Sequence, residues 1–223
     1  MQGKAEAQGS AGVMRVAKAQ KAEMLAILAE VCRGAESALV FHSPFQLLVA
    51  TALAAQTTDV QVNKATGALF ARYPDPEAMA GATAEELIPY IRTLGFFRVK
   101  AAHLAAMAQM LVTDFGGEVP TTMEELVRLP GVGRKTANVV LSNAFGIPAI
   151  AVDTHVYRVA NRMGLASGKT PEEVEDQLRR LIPQKDWSDA HHWLIWHGRR
   201  CCDAKKPACD TCPVGHICPR KLT

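Results

Sequence analysis

Lys135 closes the run Leu129-Pro130-Gly131-Val132-Gly133-Arg134-Lys135, and Asp153 follows eighteen residues later in Ala151-Val152-Asp153-Thr154-His155. Two glycines ahead of a helical pattern predict a tight turn, since glycine takes positive φ without steric cost. The first N–H groups of the following helix make an anion site, and a phosphodiester is the obvious large anion. Near the C-terminus, Cys202, Cys209, Cys212 and Cys218 follow a Cys-x6-Cys-x2-Cys-x5-Cys spacing. Four thiolates in so short a loop can wrap one metal centre. Together these groups point to an enzyme that works on DNA bases.

A lysine at a helix start has two readings. By itself it is more often a phosphate contact or a solvated side chain. The alternative is an amine nucleophile that forms a Schiff base. Attack needs the neutral amine, which is only about 0.1% of an ordinary lysine at pH 7. The positive end of a helix disfavours the ammonium, and Arg134 beside it adds to this. Asp153 reads first as an N-cap for a helix beginning at Thr154. A capping carboxylate stays ionised, which suits it to stabilise a cationic sugar or to relay a proton through water. Direct contact with Lys135 would hold the amine protonated, so the two are expected to flank a substrate.

From their ligands alone, the four cysteines fit tetrahedral zinc or a four-iron cluster. Spacing alone slightly favours zinc as the commoner intracellular case. Cys201 adjoins Cys202, and neighbours rarely share one centre in a tight loop, so Cys201 is expected outside it. Cys32 lies among apolar residues and reads as an ordinary buried thiol.

These groups need a scaffold. The chain has 223 residues, 48% hydrophobic and 6% aromatic, enough for one substantial domain or two lobes. Helix starts recur: Ser43-Pro44, Thr58 with Gln61, Thr83 with Glu86, Thr121 with Glu124, and Thr170-Pro171-Glu172-Glu173. Gly146, Gly164 and Gly198 read as helix ends or interruptions. No strand is convincing, and residues 149–152 make at most a short extended link. The expected fold is all-α, with about ten short helices counted from these cap signals. Ile147-Pro148 reads as a hinge between lobes.

Net charge is only +3, but Arg199, Arg200, Lys205, Lys206, Arg220 and Lys221 crowd the last 25 residues. Against them stand Asp203 and Asp210, which makes this tail a candidate phosphate-facing surface. No apolar run is long enough for a bilayer. Residues 1–12 lack a signal peptide's apolar core and read as a flexible extension. An intracellular setting is expected, cytoplasmic and nucleoid-associated if bacterial, with no membrane partner.

In this order, the motifs resemble the endonuclease III family of DNA glycosylases, in the helix-hairpin-helix Gly/Pro-Asp superfamily. The resemblance rests on residues 129–138, Val152-Asp153-Thr154-His155-Val-Tyr-Arg158, Ala55-Gln56-Thr-Thr-Asp59 and the cysteine loop. It implies a 4Fe–4S cluster on Cys202, Cys209, Cys212 and Cys218, reversing the preference for zinc. It implies two helical lobes with a DNA groove between them. Residues 37–147 would form a six-helix barrel, and 21–36 with 148–223 the cluster lobe, after an extension over 1–20. Lys135 would be the nucleophile at C1′ and Asp153 the assisting carboxylate. The partner would be double-stranded DNA with damaged bases or abasic sites, bound by a monomer.

The hairpin residues Gly131, Val132, Gly133 and Arg134, with His155, would bind DNA. Gln56 would fill the stack vacated by a flipped base, and Phe96 would be an apolar wedge where the family often has leucine. From the residues alone, Phe96 reads better as core packing. The implied activity is a bifunctional glycosylase and abasic-site lyase acting on oxidised pyrimidines. A uracil or mismatch-specific glycosylase is the near alternative. An adenine glycosylase is disfavoured by Lys135 and by the chain's end soon after Cys218. The remaining alternative is a non-catalytic, zinc-stabilised DNA-binding module.

Overall fold

The computed structural model describes residues 16–220. These fold into eleven α-helices and one 3-10 turn, with no strand among the described residues. The extension expected over 1–20 falls mostly outside them. α1 (Lys18–Val31) already begins within it. No helix among the described residues is long and apolar enough to cross a membrane.

Local cap chemistry starts most helices. In α2 (Pro44–Leu53), Ser43 accepts from the Gln46 amide at 3.2 Å, and Pro44 fills the first position. Thr58 caps α3 (Asp59–Arg72) at 3.4 Å. The Gln61 carboxamide meets the Thr58 hydroxyl rather than its amide, so that capping box is half formed. After α4 (Pro76–Ala80), Thr83 and Glu86 make the full reciprocal box at the head of α5 (Ala84–Ile91).

α6 (Phe97–Phe115) ends at Gly116, with φ 62°. α7 (Met123–Leu126) is capped by Thr122 with Glu125, one residue later than Thr121 with Glu124 predicted. Leu126 of this helix is fully buried in the first core. α8 (Arg134–Phe145) stops at Gly146, φ 63°, where the Ile147 amide donates back to Leu141 O.

α9 (Thr154–Arg162) starts at Asp153. α10 (Pro171–Leu181) starts at Thr170, although Glu173 accepts from the Lys169 amide rather than closing a box on Thr170. A 3-10 turn (Gln184–Asp186) leads into α11 (Trp187–Arg200). Gly198 does not end a helix as predicted; it lies inside α11. A Cβ there would come within 3.1 Å of His155 Cβ and of Val159 Cγ2. Its bareness lets α11 lie close against α9.

Apolar burial divides the molecule into two lobes. One core joins α2 to α8 around Leu48, Leu53, Leu69, Leu87, Leu104 and Leu111. The other joins α9 to α11 and also takes Met24 and Leu28 from α1. Truncating one such fully buried leucine to alanine costs about 2–5 kcal/mol. The chain crosses between the cores at residues 149–152, which are buried and lie outside any helix. Here Ala151 packs with Leu47 and Val139 in a small third cluster.

Candidate functional site

The turn before α8 is built around Gly131, whose φ is 78°. Its missing Cβ would sit 3.0 Å from His103 Nδ1, so glycine is needed for both conformation and close approach. Gly133 takes an ordinary extended conformation instead, and it caps α8 without a side chain. The first amides of α8 therefore face outward with no side-chain cap, an anion-ready arrangement. Val132 is not on that surface. Its side chain is buried in the first core, and its amide donates to Leu129 O at 3.1 Å. It anchors the hairpin from inside.

Lys135 is exposed on the first turn of α8. Across the same cavity lies half-buried Asp153, whose Oδ1 accepts from the Val156 amide at 2.8 Å. The capping role and the cavity position coexist, because one oxygen serves the helix. Arg134, expected to raise the positive potential at Lys135, is instead tied to Glu175 of α10. Asn138 reaches the same carboxylate at 3.1 Å and also donates to Ile150 O.

Two cavity residues escaped the sequence reading. His191 is buried, and its Nδ1–H donates to Ala151 O at 2.7 Å. Burial, and then the neighbouring His192, push His191 down to about 4. It is therefore a neutral imidazole near both Asp153 and Lys135. His192 donates from Nε2 to Asn143 Oδ1 at 2.9 Å, and its ring meets that of His191 edge-on. At the rim, Arg199 pairs with Asp59 at 2.6 Å, joining α11 to α3. A signal was present: two adjacent histidines inside an otherwise amphipathic helix.

Gln56 and Phe96 are not among the residues lining this cavity; they sit on the exposed turns before α3 and α6. Both take left-handed backbone conformations, with φ 54° and 58°. Phe96 is 66% exposed, which overturns the core-packing reading. Its neighbour Phe97 packs against the core instead. His155 is half-buried, and its Nδ1 accepts from Arg158 at 3.1 Å. Burial pushes its pKa down.

The geometry meets its explanation in the sequence comparisons. Residues 49–184 match the HhH-GPD superfamily of base excision DNA repair proteins. Residues 202–218 match the iron–sulfur binding domain of endonuclease III. The chain belongs to the endonuclease III family of HhH-GPD base excision repair proteins. Endonuclease III of Synechocystis is 49% identical over 91% of this chain and 93% of its own. That of Escherichia coli K12 is 46% identical, covering 92% and 97%. A solved endonuclease III–DNA covalent intermediate superposes with a TM-score of 0.88 at 45% identity, covering 92% and 97%. A thermostable thymine-DNA glycosylase, at 23% identity and a TM-score of 0.82, shares the fold.

The family's cofactor is a 4Fe–4S cluster, and the cysteine loop fits it. Cys202, Cys209, Cys212 and Cys218 line one shared cavity, and none forms a disulfide. N–H donors approach the sulfurs, as anionic thiolates require. Arg162 lies 3.8 Å from Cys202 Sγ, and the Arg220 amide lies 3.4 Å from Cys218 Sγ. His197 Nε2 lies 3.7 Å from Cys212 Sγ. Val214 pins the loop to the second core, and a Cβ at Gly215 would strike Cys209 O at 2.6 Å.

Cys201 lines the cavity too, with its sulfur, that of Cys212 and a His197 nitrogen all within 4.8 Å of one another. The iron–sulfur domain match begins at Cys202 and leaves Cys201 out. The basic tail is partly spent internally. Besides Arg199 on Asp59, Arg200 stacks 3.7 Å over Trp196 and Arg220 nears Asp210 at 3.8 Å. Lys205 and Lys206 stay exposed, and Lys221 lies outside the described residues.

Proposed function

We propose that this base excision repair protein is a bifunctional DNA glycosylase and abasic-site lyase acting on oxidised pyrimidines in double-stranded DNA. The observation that carries the reading is Lys135 and Asp153 lining one cavity at an uncapped helix start. The α8 amides hold a backbone phosphate and bring a sugar to the cavity. The target nucleotide leaves the stack, because C1′ is otherwise out of reach. Gln56 and Phe96 fill the gap.

The Lys135 amine attacks C1′, and the C1′–N bond breaks as the base departs with the bonding electrons. Loss of the amine proton and opening of the sugar give an imine between Lys135 and C1′. Asp153 stabilises the cationic sugar during this step. The imine acidifies the C2′ proton. Its removal expels the 3′ phosphate by β-elimination, and water then releases Lys135. A bound cluster would close the cysteine loop and so hold Lys205 and Lys206 toward the DNA backbone. Cys202, Cys209, Cys212 and Cys218 would hold it. The enzyme acts as a monomer on the bacterial chromosome in the cytoplasm, a setting supported by its bacterial relatives.

Borohydride trapping on duplexes carrying thymine glycol, dihydrouracil, uracil, 8-oxoguanine or an abasic site tests the reading. Lys135→Ala should lose the covalent adduct and nearly all excision while retaining DNA binding. Undiminished trapping in that variant overturns the nucleophile. Excision of uracil alone favours the mismatch-type alternative.

A further inference from the structure

Lys100 lies one turn into α6 and is only 8% exposed. A buried ammonium is costly unless it is well partnered. No carboxylate forms an ion pair with it among the described residues. Its Nζ donates instead to Ala55 O at 2.8 Å and to Thr57 Oγ1 at 2.9 Å. Those acceptors flank Gln56. The backbone amide of Lys100 donates to Phe96 O at 3.0 Å. That backbone bond is the first of helix α6, and from this turn the Lys100 side chain ties the Gln56 turn to the helix that begins beside Phe96.

Gln56 and Phe96 are both strained. Among the described residues, the non-glycine positions with positive φ are Gln56, Phe96 and Arg220. A left-handed conformation costs a side-chain-bearing residue about 1–2 kcal/mol and persists only where its surroundings impose it. Here it turns an exposed Gln56 and a 66% exposed Phe96 out of the fold. Burial lowers the pKa of Lys100, in keeping with a desolvated donor held for positioning. A plain core role would call for an apolar side chain of similar length and none of these bonds.

We propose that Lys100 is a positioning residue for duplex insertion, locking Gln56 and Phe96 into one rigid two-pronged wedge. The inference rests on the reading that these two residues fill the vacated stack. With both prongs fixed in advance, the ordering entropy is not charged at the moment of insertion.

Lys100→Met tests this, since it keeps the apolar stem and deletes the donors. The cluster-loaded protein is measured against a tetrahydrofuran abasic analogue in duplex and in single-stranded DNA. Duplex affinity should fall about tenfold, the size expected for losing a charge-assisted hydrogen bond. Single-strand affinity and borohydride trapping on a single-stranded abasic site should hold. In a Gln56→Ala background, Lys100→Met should add little, because the prong its side chain positions is gone. Thr57→Val should give a smaller loss of the same kind, and it stands in if Lys100→Met fails to fold.

Wild-type duplex affinity in Lys100→Met or, if that fails to fold, in Thr57→Val overturns the proposal. So does an equal loss on both DNA forms or full additivity with Gln56→Ala. If Phe96→Ala is impaired and the Lys100 and Thr57 variants are not, only the Lys100 assignment falls. If Phe96→Ala and Gln56→Ala both bind duplex normally, the wedge reading falls with it.

Discussion

Arg134 and Glu175 form a two-pronged ion pair between α8 and α10, 2.8 Å from Nε and 2.7 Å from the second guanidinium nitrogen. The carboxylate is 4% exposed and the guanidinium 43%. The pair fixes the helix that carries Lys135 to the lobe that carries Asp153. Arg134 therefore works as a clamp whose charge is largely answered.

Glu175→Gln should destabilise the protein by about 2–3 kcal/mol. Breaking a buried pair usually costs about 3–5 kcal/mol. Arg134 and Arg179 are both half in water and can be rehydrated, which lowers the figure. Denaturant unfolding gives the loss directly, and a wild-type midpoint would refute the clamp.

Asp153→Asn should separate capping from chemistry. The Asn oxygen can still accept from the Val156 amide, so melting should change by less than about 1 kcal/mol. Base excision should drop steeply because the negative charge is gone. Single-turnover kinetics at saturating enzyme checks this, and full activity in the variant would leave Asp153 as a cap only.

Stability should fall as pH drops from 6.5 toward 5. His191 is held near 4 in the folded protein by burial and then His192, against 6.5 ordinarily, with Asp153 opposing and Lys135 reinforcing. Between those pH values the unfolded chain binds a proton that the folded one refuses. The stabilisation is thus complete above 6.5 and drains away toward 4. Its full span is on the order of 3 kcal/mol. His192, also pushed down by burial, acts in the same direction. Melts from pH 7 to 5 should show a shallower slope for His191→Gln, and identical slopes would contradict a buried neutral imidazole.

Iron content should distinguish the adjacent cysteines. Cys201→Ser should keep the cluster and its visible absorption, while Cys202→Ser should lose or destabilise it. A colourless Cys201→Ser protein would exchange the two roles, despite the domain match beginning at Cys202.

Caps were legible because their chemistry is local. Ser43, Thr83 and Thr170 each answer an amide three residues on. Thr121 failed because its neighbour Thr122 has the same chemistry and takes the cap, with Glu125 three residues on. Lys135, Asp153 and the cysteines were legible as motifs. The rest of the site depends on distant partners. Glu175 meets Arg134 across 41 residues, His191 meets Ala151 across 40 and Lys100 meets Ala55 across 45. No local period encodes those meetings. Phe96 misled because an aromatic beside another aromatic ordinarily goes inward, and only Phe97 does so.

The placement of Met24 and Leu28 in the second core has a consequence for synthesis. On a ribosome, α1 emerges before α2 to α8, and its apolar partners in α9 to α11 emerge after them. The helices from α2 to α8 can close their own core meanwhile, since domains generally fold as units during translation. Until the final helix is out, α1 carries an uncovered apolar stripe. The second core is therefore completed only by joining α1 to α9–α11, after the first core has formed between them.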